Sequence, residues 1–301
     1  MIQLPHPLDR PNQTQAYQQV LDSEAKYIVL KLKTGSGKSA IAAAMAALNQ
    51  FKTMVLVLSK SLQYQYVDPY QFTDIFGKNN YDCLQVYEQQ PKLFDEDIIT
   101  ADLCVCPREQ KLRCYNQCPY PLARQAFVES IAGVTNYRKF VLDRGIALST
   151  DYTQGFEPEY LFLDEGHKLS DLTIDYAGIS LNWKSKRLLE YCYPIYIDMP
   201  QAFALDEATG WLTGLLYSLK DRPVKHPSEG GDIKHWLWHK RLSEKLDIVL
   251  YAIQTEPECW FVYSDEWGMT IKPLTAKYHF SQIFDKAPKI VIMSATIQPL
   301  D

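Results

Sequence analysis

Tyr27-Ile28-Val29-Leu30-Lys31-Leu32-Lys33-Thr34-Gly35-Ser36-Gly37-Lys38-Ser39 is the stretch on which the reading of this chain turns. An apolar run breaks into two glycines and then into Ala40-Ile41-Ala42-Ala43-Ala44-Met45-Ala46-Ala47-Leu48, which predicts strand, loop and helix. Glycine tolerates the backbone angles of such a turn, so the N–H groups of Gly35 to Lys38 can surround phosphate oxygens. Lys38 would then reach the outer phosphates, and the Ser39 hydroxyl would sit on magnesium. Leu32 stands where the longer form of the phosphate-loop pattern has glycine, but the short form T-G-S-G-K-S is intact. The expectation is a nucleoside triphosphate site on a parallel α/β sheet.

Three further apolar runs fit that sheet. Leu161-Phe162-Leu163 ends in Asp164-Glu165-Gly166-His167, which would put two adjacent carboxylates at the carboxyl edge of the sheet. There Asp164 can hold magnesium, usually through water, while Glu165 can orient and deprotonate the water that attacks the terminal phosphate. An Asp-Glu pair after a strand also serves as a helix cap, and it is the phosphate loop that tips the reading to catalysis. Met54 to Leu58 leads to Ser59-Lys60-Ser61-Leu62-Gln63-Tyr64-Gln65, and Lys289 to Met293 leads to Ser294-Ala295-Thr296. Hydroxyls at such strand ends suit either helix capping or contacts to a nucleic-acid backbone.

The 301 residues are 47% hydrophobic, enough for a large core, and the formal net charge is -5. That charge argues against holding nucleic acid by bulk electrostatics, so any such contact would come from local basic patches, backbone amides and aromatic stacking. No apolar stretch is long enough for a membrane span and the first residues do not read as a signal peptide, which predicts a soluble, cytoplasmic protein. Cys83, Cys104, Cys106, Cys114 and Cys118 crowd one segment, with Cys192 and Cys259 far away. An odd total suits an intracellular metal site better than a disulfide scaffold. Clustered thiolates select zinc or an iron-sulfur cluster, and spacing alone does not choose between them.

In order, the chain shows Arg10-Pro11-Asn12-Gln13, T-G-S-G-K-S, V-L-S-K-S-L-Q-Y-Q, D-E-G-H and S-A-T. This resembles the first motor domain of a superfamily 2 helicase, and more closely the XPD/DinG family of iron-sulfur DNA helicases, because the five cysteines fall between the phosphate loop and D-E-G-H. The resemblance covers nearly the whole chain. It implies a RecA-like P-loop NTPase domain with a Cys-rich cluster insertion and a mainly helical, arch-like insertion. It also implies ATP and Mg2+ as ligands, with Arg10 and Gln13 reading adenine and Thr34, Gly35, Ser36, Gly37, Lys38 and Ser39 holding the phosphates. Asp164 joins Ser39 at magnesium, Glu165, Asp164 and Lys38 serve catalysis, and His167, Ser294 and Thr296 couple the nucleotide to DNA.

The flanks of Cys83 and Cys118 are similar to the borders of the family's cluster domain, and Cys114 is close to Cys118. The fourth place of a [4Fe-4S] cluster lies between Cys104 and Cys106. Cys106 is favoured, because it precedes a proline turn and is nearer the last two. Zinc or unligated thiols are the other readings.

The implied boundaries are 1-82 for the first part of the motor domain, 83-118 for the cluster and 119-167 for the second part. An arch spans 168-270, and the last strand with S-A-T lies in 271-301. Pro119 to Phe140 reads as a helix and a return to the sheet. Within the arch Trp238, Leu242, Leu246, Val249 and Ile253 recur every three or four residues, an amphipathic helix. Its basic groups, Lys184, Lys186 and Arg187, then Lys220, Arg222 and Lys225, read as solvated faces or phosphate contacts.

The function so implied is an ATP-dependent DNA helicase moving on single-stranded DNA, 5' to 3' by resemblance, at work in repair or replication. The chain stops at Asp301, soon after Thr296, and the second motor domain such an enzyme needs is expected to lie outside it. The expectation is therefore of the ATP-binding half, as a truncated piece, a gene fragment or one half of a split enzyme. The alternatives are a nucleotide-gated module that binds DNA or a partner without unwinding, and a zinc-stapled P-loop ATPase or kinase.

Overall fold

The computed structural model describes residues 11–33, 35–82, 117–145, 156–192, 204–225 and 230–296. In chain order its main elements are α1 (Pro11–Asp22), β1 (Tyr27–Lys31), α2 (Lys38–Asn49), β2 (Thr53–Val57), α3 (Lys60–Tyr70) and β3 (Thr73–Ile75). Then come α4 (Pro119–Glu129), β4 (Ala132–Asn136), α5 (Tyr137–Gly145), β5 (Tyr160–Leu163), α6 (Leu169–Ala177), β6 (Ile179–Asn182) and α7 (Lys186–Cys192). The rest are α8 (Leu205–Asp221), α9 (Ile233–Thr255), β7 (Trp260–Ser264), β8 (Gly268–Pro273), α10 (Lys277–Phe284) and β9 (Lys289–Ser294). The chain divides into two compact units, Met1–Leu169 with Ile283–Asp301, and Ser170–Gln282.

The first unit is built on six parallel strands in the order β1-β9-β5-β2-β4-β3. The four apolar runs of the sequence are β1, β2, β5 and β9. β2 and β5 are buried at every position, as suits central strands with both faces covered, whereas the edge strand β1 leaves Tyr27 and Val29 exposed. α2 follows the glycine loop and buries Ile41 through Met45 and Ala46; its small side chains let it lie close to the sheet. Together with Ala16 and Val20 of α1, Val55, Val57, Phe162, Val291 and Met293, these residues form one core. Each large aliphatic or aromatic side chain so buried contributes about 1.5–3 kcal/mol.

Parallel strands end together, and this positions the chemistry. Lys31 lies opposite Ser294, Leu163 opposite both Ile292 and Leu56, and Val57 opposite Asn136. The residues that follow β1, β9, β5 and β2 therefore emerge along one edge, with the β9 end between those of β1 and β5. Pro119 to Phe140 is helix α4, strand β4 and the start of α5, as its pattern predicts.

The second unit has its own core. α9 carries the predicted stripe, with Leu246, Val249 and Ile253 buried and Trp238 and Leu242 packed partly against them and against Leu212, Leu215 and Leu219 of α8. An antiparallel sheet, β6-β8-β7, covers this helical layer with Leu181, Met269, Ile271 and Trp260. Helices dominate, but the sheet has no counterpart in the sequence reading, and β8 runs across the 270/271 border expected there. Among the described residues no helix is long and apolar enough to cross a membrane.

Candidate nucleotide site

The loop after β1 owes its shape to two glycines. Gly35 has φ 76° and Gly37 φ 82°, left-handed values that a Cβ disfavours. The Ser36 N–H donates to the Lys33 carbonyl at 3.1 Å and the Ala40 N–H to that of Gly37 at 3.0 Å, closing the loop onto α2. Gly37 caps α2 without a side chain, so the first turn of a twelve-residue helix opens with its N–H groups and positive dipole end toward the loop. Among the described residues the Ser36 hydroxyl is buried with no hydrogen-bond partner. An anion-accepting helix start and an orphaned hydroxyl are what a phosphate group would satisfy.

Gln13, 7% exposed, braces this loop from α1. Its Nε2 donates to the Ser36 carbonyl at 2.8 Å, and a Cβ on Gly37 would fall 1.8 Å from the same nitrogen. The amide expected at adenine thus also holds the glycine loop. Arg10 and Thr34 lie outside the described residues.

Asp164 follows β5 at the sheet edge, 8% exposed. Both its carboxylate oxygens are held: Oδ1 accepts the Glu165 N–H at 2.9 Å, and Oδ2 accepts the Tyr66 hydroxyl at 3.1 Å. Its own carbonyl accepts the Tyr137 hydroxyl at 2.6 Å. Burial pushes the Asp164 carboxyl above its ordinary range, while the Glu165 amide, the Tyr66 phenol and the Lys38 charge pull it back down. A cation placed beside Asp164 would favour the ionised carboxylate further.

Glu165 is half-buried with φ 53° and ψ 46°, left-handed for a residue with a full side chain. His167 joins it to the end of β9: Nδ1 is 3.3 Å from Glu165 Oε2 and 3.1 Å from Ser294 Oγ. Ser294 Oγ also accepts the Thr296 N–H at 3.1 Å. The structure thus brings Glu165, His167, Ser294 and Thr296 together, from segments over a hundred residues apart. At the end of β2, Ser59 caps α3, its oxygen accepting the Leu62 N–H at 3.3 Å.

Tyr66 and Tyr137 are the residues that the motifs do not point to. Gln63 and Tyr66 are three apart on one face of α3, which marks a buried helix face, but nothing local names Asp164 as the target.

The cysteine assignment largely falls elsewhere. Cys83, Cys104, Cys106 and Cys114 lie outside the described residues, and Cys118 is buried at the start of α4. Among the described residues no three His, Cys, Asp or Glu side chains are grouped as metal ligands. Burial pushes the Cys192 thiol up to about 11, so it is no ready thiolate. In the second unit Lys220 pairs with Asp247 at 3.1 Å, Arg222 donates to the carbonyls of Glu190 and Tyr191, and Lys184 Nζ lies 3.4 Å over the Trp267 ring.

The family described as "Type III restriction enzyme, res subunit" matches residues 7–197, which include both the glycine loop and Asp164-Glu165. The chain belongs to this family. Among solved structures, an XPD helicase is similar over 99% of this chain and 59% of its own, at 14% identity and TM-score 0.53. S. tokodaii Xpd4 is similar over 96% of this chain and 58% of its own, at 12% identity and TM-score 0.51. The chain thus spans about three fifths of the length of each. At such identities what is shared is the fold, and the chain has the fold seen in these XPD structures. No curated protein matches the sequence.

Proposed function

We propose that this domain binds ATP with Mg2+ and hydrolyses it as the first motor domain of a DNA helicase that translocates 5' to 3' on single-stranded DNA. The observation that carries the reading is the convergence at one sheet edge of the glycine loop with Lys38 and Ser39, the doubly held Asp164, and the Glu165–His167–Ser294 chain. XPD helicases share the fold, which supports the helicase class. Gly35 to Ser39 would cradle the phosphates, with Thr34, and Lys38 would offset charge on the outer two. Ser39 and Asp164 would hold magnesium, which when bound neutralises charge on the phosphate oxygens. Glu165 takes a proton from water as the water oxygen bonds to the terminal phosphorus and the bond to the leaving diphosphate breaks. His167, in contact with both Glu165 and Ser294, would relay the state of that carboxylate to the β9 end, where Ser294 and Thr296 would meet DNA. Arg10 and Gln13 would read adenine.

The rest of the reading completes the machine. A second motor domain would close the cleft and supply the second DNA grip. Residues 83-118 would carry a [4Fe-4S] cluster on Cys83, Cys106, Cys114 and Cys118, and 168-270 an arch over the DNA path, all in the cytoplasm. Protein purified without oxygen should then be brown and contain iron, whereas one zinc and no iron per chain would favour the zinc-stapled ATPase. For the motor itself, single-stranded DNA should accelerate ATP hydrolysis by the assembled two-domain protein. Lys38→Ala should lower affinity for a fluorescent ATP analogue at least about tenfold, since charge-assisted contacts contribute on the order of 1.5–3 kcal/mol. Equal affinity in the two proteins would sink the phosphate-loop assignment. Binding with no stimulated turnover would leave a nucleotide-gated binding module instead.

A further inference from the structure

Tyr66 is fully buried on the inward face of α3, packed edge-on against Phe72 with ring centroids 5.6 Å apart. Its hydroxyl donates to Asp164 Oδ2 at 3.1 Å. A phenol of α3 therefore reaches the end of β5, 98 residues further along the chain. The opposite oxygen of the carboxylate is fixed locally, by the Glu165 N–H. Without Tyr66 the carboxylate would keep that one bond and could turn about it.

Resting on the nucleotide reading above, we propose that Tyr66 is a positioning residue for the divalent cation, its phenol setting the orientation of Asp164 before a metal–nucleoside triphosphate complex arrives. Tyr66 itself touches neither metal nor nucleotide. A buried carboxylate that has lost one of two donors is both less well ordered and less well compensated, and loss of such an outer partner typically lowers metal affinity about 10–100-fold.

The test is a titration of Mn2+, followed by electron paramagnetic resonance, into the full chain saturated with a non-hydrolysable ATP analogue. Tyr66→Phe keeps the ring and removes the hydroxyl. It should weaken Mn2+ binding about tenfold while leaving analogue affinity in EDTA unchanged. Thr135→Val removes another buried hydroxyl of the same unit, one that donates to the Ile75 carbonyl at 2.9 Å, and should bind Mn2+ as wild type does. Wild-type Mn2+ affinity in Tyr66→Phe, or an equal loss in Thr135→Val, overturns the proposal. If Tyr66→Phe does not fold, 3-fluorotyrosine at position 66 keeps the hydroxyl and reports by its fluorine resonance. That resonance should shift when Mg2+ is added to the analogue complex, and an unmoved resonance overturns the proposal too. A wild-type protein whose analogue affinity ignores divalent cations overturns the underlying nucleotide reading instead. Cation-dependent analogue binding in the wild type with an unweakened Mn2+ affinity in Tyr66→Phe overturns only the role of Tyr66.

Discussion

Two turns at the same sheet edge solve the same geometric problem in opposite ways. After β1 the chain enters the left-handed region at Gly35 and Gly37, where no Cβ opposes it. After β5 it does so at Glu165, φ 53°, although glycine stands next in the sequence at 166. A side chain in that region costs roughly 1–2 kcal/mol. Glycine itself permits the angles of the first turn, to which Gln13 adds a brace at the Ser36 carbonyl, whereas the side chain at 165 is kept in that region by the contacts around it. The Asp164 carbonyl takes the Tyr137 hydroxyl, the Glu165 carbonyl takes the Lys168 N–H at 2.9 Å, and the Glu165 carboxylate meets His167. Strain that surrounding structure maintains at a carboxylate is the pattern of a group whose aim matters more than its comfort.

The largest effect expected from breaking this comparison is on chemistry. Glu165→Gln keeps the shape and the turn but removes the basicity, and ATP turnover by the two-domain assembly should fall at least about 100-fold with nucleotide affinity nearly intact. Turnover at the wild-type rate in a steady-state assay would show that the strained carboxylate is not the base. The next effect is on the glycine turn. Gly37→Ala puts a Cβ where Gln13 Nε2 lies and forces a left-handed alanine, so the unfolding free energy should drop by about 1–3 kcal/mol. Denaturant melts that leave stability unchanged would mean Gln13 swings away at no cost.

The smallest effect sharpens the contrast. Glu165→Gly relieves the angle but gives up the His167 contact and loosens the unfolded chain, for a net gain of at most about 1 kcal/mol alongside lost turnover. A clear loss of stability would show that the side-chain contacts of Glu165, and not the strain, dominate that turn.

Legibility followed how local each feature is. Lys38 and Ser39 could be read because strand, glycines and helix are contiguous, and Asp164 and Glu165 because a short apolar run announces a strand end. The α9 stripe was plain for the same reason, its period being written within one helix. Tyr66 was not, since its partner is 98 residues away, and neither was the bond from the Gln13 amide nitrogen to the Ser36 carbonyl 23 residues on. The β6-β8-β7 sheet escaped notice because β6 pairs with a strand almost ninety residues further along, across three helices.

By itself the sequence determined that four apolar runs are strands, that the first of them runs into a glycine turn and a helix, and which carboxylates end the third. Those are matters of backbone freedom and of apolar periodicity, which neighbours in the chain settle among themselves. Only the tertiary structure decided that β9 is inserted between β1 and β5, bringing Ser294 to His167, and that α3 turns a phenol onto Asp164. Hydrogen bonds between distant segments depend on strand order and helix packing, and these come from burying the whole core at once rather than from any window of residues.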